Sequence, residues 1–176
     1  MNDETLRYPI GRFTPQEAYT EQELGDCIQR IESLPHRIDF LIKSFSPRAL
    51  DRTYRDGGWS GRQVIHHLSD SHINAYIRLK WTLTENTPLI KAYDEKRWAE
   101  TPEVKLDPAI SLDLLKALHA KWVGLLKSLT TTDLQREYTH PETKKNVRLD
   151  RLLAMYAWHG DHHLGHLKII GDKSIE

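Results

Sequence analysis

A chain of 176 residues is long enough for one domain with a sizeable core, and its 25 Lys and Arg balance its 25 Asp and Glu. That balance argues against a broad basic surface for nucleic acid or anionic lipid. The 39% hydrophobic content and five tryptophans exclude a disordered chain, and the single cysteine, Cys27, excludes an internal disulfide, so a reducing cytoplasm is the simplest compartment.

The opening "MNDETLRYPIGRF" has no basic region followed by an apolar run and does not read as a signal peptide. No stretch approaches the ~18 uninterrupted apolar residues of a membrane span. Residues 1–19, with Pro9, Gly11 and Pro15, read as an extended arm on a single domain covering 1–176. Thr20 and Glu23 then form a capping box, in which each side chain satisfies an orphan backbone N–H of a starting helix. Apolar positions from Leu24 to Phe45 recur at three and four and predict a helix of roughly 25 residues, with Pro35 expected to kink it near Leu34. Ser60 and Gln63 make a second capping box and open a helix from about Gly61 to Thr84. A short helix is expected around "DEKRWAE". Asp107 before Pro108 opens a third long helix through Leu112, Leu115, Trp122 and Leu129. The fourth runs from about Leu149 to Ile170, with Gly171 as its expected left-handed stop. Four amphipathic segments with almost no strand signal make the fold class all-α, a four-helix bundle. The connections over 87–106 and 130–148 are long enough for a crossover path.

The fourth helix carries "YAWHGDHHLGH", residues 156–166. The seam Leu149, Leu152, Tyr156, His159, His163, His166, Ile170 advances by alternating threes and fours, one stripe facing the core. His162 flanks that stripe and Asp161 points elsewhere. At about 1.5 Å rise per residue, His159 and His163 stand about 6 Å apart along the axis and can converge on one ion. A third ligand is expected from the second helix, "VIHHLSDSH". The face Val64, His67, Ser71, Asn74, Arg78 is unusually polar for a core stripe, whereas Ile65, Leu68, His72, Ala75, Leu79 reads as packing apart from His72. Pattern alone prefers His67, with His66 in competition. Asp70, one turn on, is the candidate proton acceptor or partner to a ligand N–H. Arg78 and Asn74 are candidates for an anionic or carbonyl substrate. Arg7, Tyr8, Tyr54 and Trp59 would rim the pocket if the arm folds back, and no role is assigned to them. His36, His119 and His140 read as ordinary surface or packing residues.

The stretches "YRDGGWSGRQVIHHLSDSHINAYIR", "YDEKRWAE", "HPETKK" and "YAWHGDHHLGHL" resemble the YfiT-type metal-dependent hydrolases, a branch of the DinB-like superfamily that also contains bacillithiol-type thiol S-transferases. The resemblance extends over nearly the whole chain, including "YPIGRF". It implies an up-down-down-up four-helix bundle, a homodimer, and one divalent metal ion per chain held by His67, His159 and His163. It thereby chooses His67 over His66. Where many superfamily members carry Gln near the end of the last motif, this chain has His166.

Three neutral imidazoles leave a coordination position open, as in catalytic sites. An ion so held, zinc or nickel, can activate water for hydrolysis of a small-molecule substrate, the favoured reading. The same ion can hold a thiolate for S-transfer, or it can serve a non-enzymatic metal-binding or interaction module.

Overall fold

The computed structural model describes residues 3–46 and 48–172. The arm is not extended throughout. Asp3–Arg7 forms a short helix, α1, with Asp3 and Glu4 in its first turn and Arg7 in its last, the arrangement that suits the helix dipole. The rest of the arm crosses the last helix. α2 (Glu21–Ile42) begins at the expected Thr20/Glu23 capping box and continues through the buried Pro35 as one helix. α3 (Gly61–Thr84) begins at the Ser60/Gln63 box. α4 (Glu95–Trp98) is the short helix expected in "DEKRWAE", capped by Asp94. α5 (Pro108–Leu126) is capped by Asp107, and α6 (Thr131–Leu134) is a single capped turn.

Two short strands, unforeseen in the sequence, follow: β1 (Glu137–Thr139) and β2 (Asn146–Arg148), antiparallel, with Tyr138 opposite Val147. Three-residue strands are too short to display a period, and the buried Tyr138 is what pins the hairpin to the core. α7 (Leu149–Asp172) runs past the expected stop. Gly171 is helical, and its lack of a side chain serves close packing: a Cβ there would lie 2.7 Å from the Phe45 ring.

Contacts fix the helix directions. Leu34 on α2 meets Gly160 on α7, and Phe45 just past the end of α2 meets Gly171, so the two run parallel. On α3 and α5, His66 meets Ser111 and His72 meets His119, also parallel. Asp39–Lys116 and Glu32–Lys127 make α2 and α5 antiparallel. Gly61 near Ile170 and Arg78 near Tyr156 make α3 and α7 antiparallel. The path is therefore up, down, down, up. Among the described residues no helix is long and apolar enough to cross a membrane.

The interior is two apolar clusters rather than one. The first holds Cys27, Ile31, Ala75, Leu79, Trp122, Leu153 and Ala157; the second holds Leu34, Ile38, Ile65, Leu68, Leu115, Leu164 and Ile170. On three of the four long helices the division falls within a turn or two of a buried or inward-facing histidine: His72 on α3, His119 on α5, His159 and His163 on α7. A buried polar group left unpaired costs roughly 1–3 kcal/mol, about what a buried leucine contributes. The histidine layer must therefore be bonded or liganded throughout.

Candidate metal centre

Close helix contact places the α7 histidines. At Gly160 a Cβ would lie 2.5 Å from Leu34 Cδ2, so glycine is what lets α2 approach there. At Gly165 a Cβ would lie 2.8 Å from Pro9 Cγ, which lets the arm cross α7. Asp161 turns to α2, where Arg30 and Arg37 both reach it at 2.7 Å. The opposite face carries His159 and His163 inward.

There His67 joins them. One ring nitrogen from each of His67, His159 and His163 lies within 4.8 Å of the others, and His67 Nε2 is 3.2 Å from His159 Nε2. Two nitrogens on one tetrahedral zinc at about 2.1 Å stand about 3.4 Å apart, so this spacing fits a shared ion. Trp59 covers His67, ring centroids 4.6 Å apart.

The bonding behind the cluster fixes where its protons lie. His119 Nδ1 is 2.6 Å from the Ile31 carbonyl oxygen. A carbonyl only accepts, so this nitrogen carries a proton. Burial pushes the His119 pKa down to about 4 and holds that of His72 well below the usual histidine value, so both rings are neutral at pH 7. His119 Nε2 therefore accepts from His72 Nδ1–H at 2.8 Å, and His72 Nε2 accepts from His159 Nδ1–H at 3.2 Å. His159 Nε2 is left with a bare lone pair facing His67.

A second, shorter chain does the same for His163. His166 Nε2–H donates to the Arg7 carbonyl at 3.2 Å, so its Nδ1 accepts from His163 Nδ1–H at 3.3 Å. His163 Nε2 is then the free ligand atom. His162, His163 and His166 also have nitrogens within 4.8 Å of one another; the bond between His163 and His166 joins two of them, while the buried His162 Nδ1 makes no hydrogen bond. Burial lowers the His67 pKa to about 4, so the third imidazole is also neutral near pH 7.

The remaining candidates separate. His66 is buried away from the cluster, its Nδ1 2.7 Å from Ser111 Oγ on α5. Among the described residues Asp70 shares no hydrogen bond with the three imidazoles. Burial, and then the charge of Glu103, raise its pKa to about 6. Asn74 donates to the Asp70 backbone carbonyl. The arm does fold back: Arg7, Tyr8, Tyr54 and Trp59 line one cavity of about 480 Å³ with His162, His163 and His166. Arg78 lies in a second cavity of about 480 Å³, bounded by Tyr93, Tyr138, Tyr156 and His159. His36 is exposed, as expected.

His119, expected to be an ordinary surface or packing residue, and His72, set apart on its stripe without a role, both belong to the relay behind His159. The signal for His119 was present, since it follows Leu115 by four and precedes Trp122 by three on the buried stripe of α5.

A helical bundle with inward-facing imidazoles at its waist defines a known class. The chain belongs to the DinB superfamily, whose model matches residues 30–167. A Bacillus cereus (strain G9842) protein named "Putative metal-dependent hydrolase" is 49% identical over 167 residues, 95% of each chain. A relative of the same name from Bacillus thuringiensis subsp. konkukian (strain 97-27) is 48% identical over the same share. Among solved structures, YfiT from Bacillus subtilis, described as "a probable metal-dependent hydrolase with an unusual four-helix bundle topology", matches with a TM-score of 0.93 and 42% identity, covering 96% of this chain and 97% of that one.

Proposed function

We propose that this chain is a metal-dependent hydrolase of small molecules, with His67, His159 and His163 holding one divalent ion, zinc or nickel. One observation carries the reading: three neutral imidazoles converge, and for two of them hydrogen bonds at the far nitrogen turn a lone pair inward. The donor set has no thiolate or carboxylate, which suits zinc and nickel. The names of the relatives agree with it. When bound, such an ion supplies Lewis acidity, which acidifies water and polarises a carbonyl or phosphoryl oxygen.

The chain's own residues prepare that chemistry. The two relays hold the ligand rings in one tautomer and orientation. Trp59 shields His67 and His163 from solvent on one side. Tyr156 and His159 line one cavity side by side, their ring centroids 5.5 Å apart. In hydrolysis, water oxygen bonds to the substrate as the bond to the leaving group breaks, and a water proton ends on that group. Asp70 makes no contact that supports its expected role as proton acceptor. The homodimer implied by the family is part of the same proposal, and light scattering would detect it.

Elemental analysis of tag-free protein should find about one divalent ion per chain. The triple variant His67→Ala, His159→Ala, His163→Ala should hold none; retained metal overturns the ligand set. Ester and amide panels should show turnover that a chelator abolishes and added metal restores. Conjugation of small thiols to an electrophile without any hydrolysis would replace the hydrolase reading with the S-transferase.

A further inference from the structure

Arg78 is a buried cation that feels the charge of Glu95 but makes no close ion pair among the described residues. It is 8% exposed, and its Nε makes no hydrogen bond. Nη1 stands 3.5 Å from the Tyr156 hydroxyl and Nη2 3.5 Å from the Lys91 carbonyl, both at the limit of a hydrogen bond. Among the described residues no carboxylate lies within 4.0 Å of it. Arginine remains protonated throughout the working pH range, so burial cannot neutralise it. Leaving a buried charge without a partner is costly, and a planar fork of donors is matched by an oxyanion.

The guanidinium faces a cavity of about 480 Å³. At its lip the exposed Glu95 and Glu142 are balanced by the exposed Lys145 and Arg151. Deeper in, no carboxylate reaches Arg78 in an ion pair, although the charge of Glu95 acts on it, and the buried Tyr93 hydroxyl beside Ser71 closes no well-aligned hydrogen bond. Tyr156 spans from there to the metal centre: its hydroxyl is the one near Arg78, and its ring is 5.5 Å from the His159 ring.

We infer that Arg78, with the Tyr93 hydroxyl, is the binding subsite for a carboxylate on the substrate. The substrate class is then a small molecule bearing a carboxylate at one end and its hydrolysable bond several atoms away, at the histidine cluster. The anion subsite stands on Arg78 and Tyr93 without the metal; the hydrolysable bond rests on the proposed function.

Binding of glutarate, inorganic phosphate and the neutral glutaramide to the full chain, measured by calorimetry with and without metal, tests this. Glutarate should bind saturably, and to the chelator-stripped protein as well. Arg78→Met should weaken it at least tenfold while keeping the metal content of the parent, and glutaramide should not distinguish the two proteins. Arg78→Lys should retain part of the affinity, and Tyr93→Phe should lose about threefold; these two decide the matter if Arg78→Met does not fold. Equal glutarate binding by parent and Arg78→Met, or no saturable binding by the parent, overturns the subsite and leaves the hydrolase reading intact. Saturable phosphate binding without glutarate binding overturns the carboxylate in favour of a phosphoryl ligand. Metal retained by the triple histidine variant, with glutarate binding unchanged, would sink the metal-site reading alone.

Discussion

His159 and His163 sit one helical turn apart and look equivalent in the sequence, yet they are braced from different parts of the molecule. The brace behind His159 runs inward through His72 and His119 to a carbonyl of α2, crossing all four long helices. The brace behind His163 runs outward through His166 to a carbonyl of the N-terminal arm. The first is built into the bundle core. The second depends on a five-residue helix and an extended segment draped on α7. One ligand's geometry is therefore as durable as the fold, and the other's only as durable as the arm.

Replacing His119 should give the largest effect, because it strikes the core brace. His119→Phe removes the acceptor for His72 Nδ1–H and strands a buried donor. We expect a loss of roughly 1–3 kcal/mol in urea unfolding, and zinc affinity lower by about 10–100-fold in chelator competition. A stable variant with unchanged affinity would show that the inner chain is mere packing.

His166→Phe cuts the outer brace while keeping a ring to stack on Tyr54, now 3.8 Å away. Affinity should fall by about tenfold with little change in urea midpoint. Removing residues 1–12 should reproduce that loss, since the Arg7 carbonyl goes with them. A larger effect on stability than on metal binding would invert the comparison.

The smallest effect is expected where neither brace reaches. Asp70 has a raised pKa of about 6, so the folded chain holds its proton more tightly than the unfolded chain does. Its contribution to stability is greatest below the unfolded value and declines as pH rises through about 6. Asp70→Asn should therefore be more stable than the parent at pH 8, by about 1 kcal/mol after allowing for solvent screening, with the difference vanishing near pH 4. Loss of hydrolysis in this variant, with metal retained, would instead restore Asp70 as the proton acceptor.

Much of the architecture was legible. Capping boxes at Thr20 and Ser60 and the Asp107-Pro108 start mark three helix beginnings directly. The alternating steps of α7 bring His159, His163 and His166 to the interior. Less local features were hidden. The glycines at 160, 165 and 171 look like helix breakers or stops, but their meaning lies in Leu34, Pro9 and Phe45, distant in the chain. His72 and His119 each look like a lone polar residue on an apolar stripe. Their role appears only when parallel packing of α3 and α5 sets the two rings in register. The hairpin at 137–148 is too short for periodicity, and pattern only preferred His67, leaving the family resemblance to settle it over His66.

The bond from Arg7 to His166 joins residues 159 positions apart. During synthesis the arm emerges first and waits for nearly the entire chain before its carbonyl has a partner. His67 likewise waits 92 residues for His159. A nascent or truncated chain thus presents scattered imidazoles with no converged set. Metal capture is consequently a late event, and the ion would act as a selective seal on chains that have finished folding.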